Sequence, residues 1–113
     1  MIILDTSIWI DYLRGKDLAF VKTVTQYLED EKVIALGPVF GELLQGAKGA
    51  KEESIILTFW ENCPKYDEYQ LMIRAGLLSL RNKLLDTGVG LIDSAILYVA
   101  LETDQRFGQM IQI

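Results

Sequence analysis

Three carboxylates in this chain keep company that does not suit a solvated acid. Asp5 ends the apolar run Ile2-Ile3-Leu4, Glu42 sits among Val39, Phe40, Leu43 and Leu44, and Asp93 lies inside Leu91-Ile92-Asp93-Ser94-Ala95-Ile96-Leu97. A carboxylate drawn away from water is costly unless it is protonated, paired with a cation or bound to a metal. Histidine is absent and Cys63 is the single cysteine. A metal site here would therefore use hard oxygen donors, the set that suits Mg²⁺ or Mn²⁺ rather than zinc. Such an ion leaves positions open for a phosphate oxygen, lowers the pKa of a water and stabilises a leaving oxygen, which is the chemistry of phosphodiester hydrolysis. Thr6 and Ser7 place two hydroxyls beside Asp5, where they would orient an acid or a water.

Each acid also has a plainer role. Asp5, Thr6 or Ser7 would cap a helix beginning at Ile8, and Asp93 near a helix start would satisfy free amides and the helix dipole. Glu42 lies well round from the stripe of Val39, Leu43 and Ala47, so it suits the first turn of an ordinary surface helix. Its own side carries Gly46 and Gly49, which leave room for a ligand. At 100° per residue Asp93 shares a stripe with Ile96, Leu97 and Ala100, so the spacing predicts that it projects from an apolar face rather than toward water.

The elements that must position these acids alternate. Residues 1–4 form an apolar strand with β-branched members, and the sequence places it as a buried parallel strand whose carboxyl end delivers Asp5. Helices are expected from Ile8 to Gly15 and from Asp17 through Leu28, the latter ending in the solvated run Glu29-Asp30-Glu31. Val33-Ile34-Ala35-Leu36 is the second strand. Pro38 suits the first turn of a helix that reaches Ala47 and stops at Gly49. Further helices are expected from Glu52 to Asn62, from Asp67 to Leu85 and from Leu91 to Leu101, with Pro64 breaking the chain after the first of them. Phe107–Ile113 would supply a last short strand. This pattern is an α/β fold: a small parallel sheet flanked by helices on both faces, in a single domain spanning 1–113. Ligands of such sheets sit beyond the carboxyl ends of the strands, and that edge would gather the three acids.

Composition narrows the function. With 16 acidic and 11 basic residues the net charge is −5, so a nucleic-acid substrate would need a local basic rim or a bound cation rather than a global field. Arg14, Lys16, Lys48, Lys51, Arg81 and Lys83 are the candidates for that rim. Half of the residues are hydrophobic, which points to apolar surface covered by a partner. The lone cysteine and the lack of any targeting or membrane-spanning run place the protein in a reducing cytoplasm.

Leu4-Asp5-Thr6-Ser7, then Gly41-Glu42-Leu43-Leu44-Gln45-Gly46, then Leu91-Ile92-Asp93-Ser94-Ala95-Ile96 resemble, in this order and spacing, the motifs of a PIN domain, specifically a VapC-type toxin of a toxin–antitoxin pair. The resemblance covers residues 1 to about 104. It implies a PIN-like fold and a Mg²⁺- or Mn²⁺-dependent endoribonuclease acting on structured RNA, often transfer RNA. It also implies a homodimer neutralised by a small antitoxin. Asp5, Glu42 and Asp93 would be both catalytic residues and metal ligands, supported by Ser7. The chain departs from the pattern at its end, where the family's last strand and helix are absent or altered after about 104. Asp104 would be a fourth acid only if the helix carrying Asp93 broke early, because eleven helical residues span about 16 Å. Two other functions fit parts of the sequence. One is a PIN-like module that has lost catalysis and mainly binds antitoxin. The other is an aspartate-based phosphotransfer domain, although the phosphatase pattern wants an acid where this chain has Ser7.

Overall fold

In the computed structural model, residues 1–66 and 68–103 are described in full, together with the backbone of 104–107 and 111–112. β1 (Ile2–Ile3) leads into α1 (Thr6–Arg14), α2 (Leu18–Glu29), β2 (Val33–Ile34), α3 (Gly37–Gln45), α4 (Ala50–Asn62) and α5 (Leu71–Asn82). A 3₁₀ turn at Leu85–Thr87, α6 (Leu91–Phe107) and β3 (Ile111–Gln112) complete the order. The tail thus supplies the short strand expected of it. Among the described residues the three strands are parallel, in the order β2-β1-β3, with Ile2 opposite both Val33 and Ile111.

β1 is the middle strand, and its buried side chains show how the sheet is covered. Successive residues of a strand point to opposite faces. Ile2, Ile3 and Leu4 are nevertheless all buried, so apolar side chains cover both faces of the sheet, as the sequence predicts. The ladders are shorter than expected. The β1–β2 pairing ends at Ile34, and Ala35 turns to a different neighbour: it pairs with Lys65, its amide donates to the Pro64 carbonyl at 2.8 Å, and the Tyr66 amide donates back to its carbonyl at 3.3 Å.

Trp9 anchors the helical layer to this sheet. It is 1% exposed, with ring centroids 5.1 Å from Phe40 and 5.5 Å from Phe59, so α1, α3 and α4 meet on one indole. Removing such a ring costs roughly 3–5 kcal/mol. α3 packs against both α1 and α6, which makes it the element between the Asp5 turn and the helix carrying Asp93.

Helix boundaries move for local reasons. Gly15 at φ 67° closes α1, and Asp17 accepts the Phe20 amide at 3.2 Å to start α2. α3 ends at Gln45 rather than running on to Gly49, which instead precedes α4 with φ 98°. α5 is shorter than the expected 67–85: it ends where Lys83 adopts a left-handed conformation and the Leu84 amide reaches back to the Ser79 carbonyl. Asp67, the expected start of that helix, lies outside the described residues. α6 runs six residues further than expected, to Phe107.

Candidate active site

Asp5 is the cap of α1. Its Oδ1 accepts the Ile8 amide and the Ser7 hydroxyl, both at 2.9 Å, and its backbone is extended as a capping residue requires. Its side chain is half-buried at the carboxyl end of the central strand. The capping role and the placement expected of a ligand therefore coincide in one residue. They do not compete, because the hydrogen bonds use Oδ1, and Oδ2 accepts none from the described residues.

Glu42 is exposed on α3. The Thr6 hydroxyl donates to its Oε1 at 2.6 Å, so the residue next to Asp5 holds the second acid across the α1–α3 seam. Oε2 accepts no hydrogen bond from the described residues. A groove of about 320 Å³ opens beside Glu42 between α1, α3 and α4, with Gly46 in its lining as the sequence suggests. Gly49 is not part of that lining. Arg14 and Lys48 are the basic residues along this groove, and Arg14 also lines a second one with Lys16, Asp11 and Asp17. Lys51, Arg81 and Lys83 line neither.

Asp93 departs from expectation. It is exposed in the first turn of α6, not projecting from an apolar face. The buried side of α6 is formed by Ser94, Ala95, Ile96, Val99, Ala100 and Thr103. That face is centred roughly 90° round the helix from Asp93, and at the open end of a helix a quarter-turn is enough to reach water. Ser94 belongs to the core, its hydroxyl donating to the Gly90 carbonyl at 3.0 Å. The side chain of Asp104 lies outside the described residues. Because α6 is continuous, its backbone stands about 16 Å along the axis from that of Asp93.

Asp5 and Glu42 are thus brought to one edge, whereas no three acidic side chains gather at metal-ligating spacing among the described residues. The donor set itself suits a hard divalent ion. All three residues offer carboxylate oxygens, and the ion pair of Arg74 Nε with Glu68 Oε2, at 3.1 Å, lies elsewhere.

The perturbed titrating groups also lie away from the acids. Burial pushes the Cys63 thiol up, with Lys65 opposing. Burial is likewise the main cause that raises Tyr66, reinforced by Tyr98, Glu102 and Glu68. A hydrogen bond with Tyr98 and its charge, then the charge of Glu68, hold Arg74 more firmly protonated than usual. Tyr66 and Arg74 thus share their electrostatic surroundings with Tyr98 and Glu102 of α6.

The PIN domain matches residues 2–107, and the chain belongs to the PIN-domain family. This is a nuclease family whose members characteristically use divalent metals. No curated protein matches the chain. No helix among the described residues is long and apolar enough to cross a membrane.

Proposed function

We propose that this PIN domain is a Mg²⁺- or Mn²⁺-dependent endoribonuclease, the toxin of a toxin–antitoxin pair, with Asp5, Glu42 and Asp93 as its metal ligands. The observation that carries the proposal is the hydrogen bond by which the residue after Asp5 holds Glu42 at the carboxyl edge of the sheet, each acid being fixed through one oxygen while its other oxygen accepts no hydrogen bond from the described residues. A divalent cation bound there would supply Lewis-acid polarisation of a phosphodiester. The Ile8 amide and the Ser7 hydroxyl fix Asp5, and the Thr6 hydroxyl fixes Glu42. Arg14 and Lys48 offset the charge of the RNA backbone along the groove in an otherwise acidic protein.

Two surfaces support the proposed partners. The groove beside Glu42 is floored by Ile10, Leu13, Leu43, Ala47, Ile55 and Ile56, which suits the apolar face of an antitoxin helix. Ile73, Leu77 and Leu80 follow one another at helical spacing on α5 and are exposed, as is Tyr69 in the turn before it, an apolar surface suited to a second copy of the chain.

Antitoxin-free protein should cleave total transfer RNA with Mg²⁺ or Mn²⁺, and cleavage should vanish with EDTA or in Asp93→Asn. Cleavage that survives both controls overturns the assignment. The absence of a three-acid cluster among the described residues favours one second reading, a module that binds antitoxin without cutting. Antitoxin affinity retained in a folded protein that cleaves no RNA with either metal would select it.

A further inference from the structure

We infer that Thr6 is a positioning residue, whose hydroxyl sets Glu42 in place for the divalent cation. The inference rests on the metal-site proposal and deepens it by assigning one hydroxyl to one acid.

Thr6 uses its hydroxyl differently from several other threonines of the chain. Thr23, Thr58 and Thr103 turn theirs to the carbonyl four residues back, Ala19, Ser54 and Val99 respectively. Such bonds stay within the helix. Thr6 is the first residue of α1 and has no helical turn behind it. Its hydroxyl instead crosses 36 positions of sequence to the Glu42 carboxylate, and the 2.6 Å separation is that of a charge-assisted O–H···O⁻ bond.

This bond matters because of where Glu42 stands. An exposed glutamate on a helix has three freely rotating side-chain bonds, and ordering them opposes metal binding. Thr6 is β-branched and therefore stiff, and the neighbouring Asp5 is itself fixed by the Ile8 amide and the Ser7 hydroxyl. A rigid turn thus imposes its position on a mobile acid. The bond takes only Oε1, so it orders the carboxylate without occupying the oxygen left for a cation. Asp5 follows the same scheme, with both donors on Oδ1.

The test is Mn²⁺ affinity, read from free Mn²⁺ by electron paramagnetic resonance in the absence of RNA, with thermal melting of each metal-free protein as the control for folding. Thr6→Val keeps the side-chain shape and removes the hydroxyl. It should weaken Mn²⁺ binding about tenfold, the low end for losing a hydrogen-bond partner of a metal ligand. Thr6→Ser restores the donor and should bind within about twofold of the unaltered protein, a rescue that loss of packing alone does not predict. Glu42→Gln should weaken binding further, and adding Thr6→Val to it should change nothing more, because the two act through one carboxylate. If Glu42→Gln weakens binding while Thr6→Val does not, or if Thr6→Val has the same effect with and without Glu42, the positioning role is overturned and the metal site stands. Unchanged binding in both Glu42→Gln and Asp5→Asn overturns the metal site itself, and the role of Thr6 falls with it.

Discussion

The β1–α1 junction and the first turn of α6 each present an aspartate at the start of a helix, and the chain treats the two differently. Asp5 is half-buried at the end of the central strand, with two donors on one oxygen and a neighbour that reaches Glu42. Asp93 is exposed, and no described residue donates a hydrogen bond to its side chain. A strand that delivers an acid fixes its position twice, through the ladder behind it and the cap ahead of it. A helix turn fixes only its backbone. The first aspartate is preorganised, and the second depends on whatever binds it.

The largest expected effect tests whether that difference carries into catalysis. Asp5→Asn and Asp93→Asn should each slow metal-dependent RNA cleavage by more than about 100-fold, since loss of a ligand should exceed the loss of a ligand's hydrogen-bond partner. The measurement is a single-turnover rate at saturating Mn²⁺. A wild-type rate in Asp93→Asn would break the comparison at its functional end, leaving Asp5 and Glu42 as the working pair.

Stability should separate the two positions next. Asp5→Ala removes the acceptor for the Ile8 amide and should cost about 1 kcal/mol, up to about 2, as capping losses do. Asp93→Ala gives up only a charge near a helix dipole and should cost about 0.3–1 kcal/mol. Urea unfolding without metal measures both. Asp5→Asn sharpens the contrast, because asparagine caps as well as aspartate: it should keep the stability and lose the cleavage. Equal costs for the two alanine variants would mean that the Asp5 cap contributes nothing of its own.

Metal should in turn stabilise the protein by mass action. Mn²⁺ at ten times its dissociation constant should add about 1.4 kcal/mol to the unfolding free energy, and excess EDTA should remove that increment. The gain should disappear in Asp5→Asn and in Asp93→Asn. A gain that persists in Asp93→Asn would again place the exposed aspartate outside the site.

What was legible in the sequence follows the distance over which each feature is determined. Asp5 as a cap depends on residues three positions away, and its local pattern announces it. The alternation of apolar runs and amphipathic stretches announces the parallel α/β class for the same reason. The bond from Thr6 to Glu42 spans 36 positions, and no spacing rule connects them. Ala35 has the composition of the strand before it, yet it pairs with Lys65, a choice made by the fold rather than by propensity. Asp93 shows the limit of helical periodicity. Spacing puts its stripe through Ile96, Leu97 and Ala100, whereas packing centres the buried face on Ala95, Ile96, Val99 and Thr103. A shift of about 90° converts an inward acid into an outward one.

The smallest effect is expected at Ser7, where the preorganisation of Asp5 can be trimmed without being removed. The Ser7 hydroxyl is one of the two donors on Oδ1, at the same 2.9 Å as the Ile8 amide, but its side chain is exposed and water can replace it. Ser7→Ala should therefore cost no more than about 0.5 kcal/mol of stability, the scale of a surface substitution. It should weaken Mn²⁺ binding by about twofold, well short of the tenfold expected of an ordered hydrogen-bond partner. A loss as large as that of Thr6→Val would mean that the capping amide alone does not hold Asp5. The rigidity that separates the β1–α1 junction from the first turn of α6 would then lie in the two hydroxyls rather than in the helix cap.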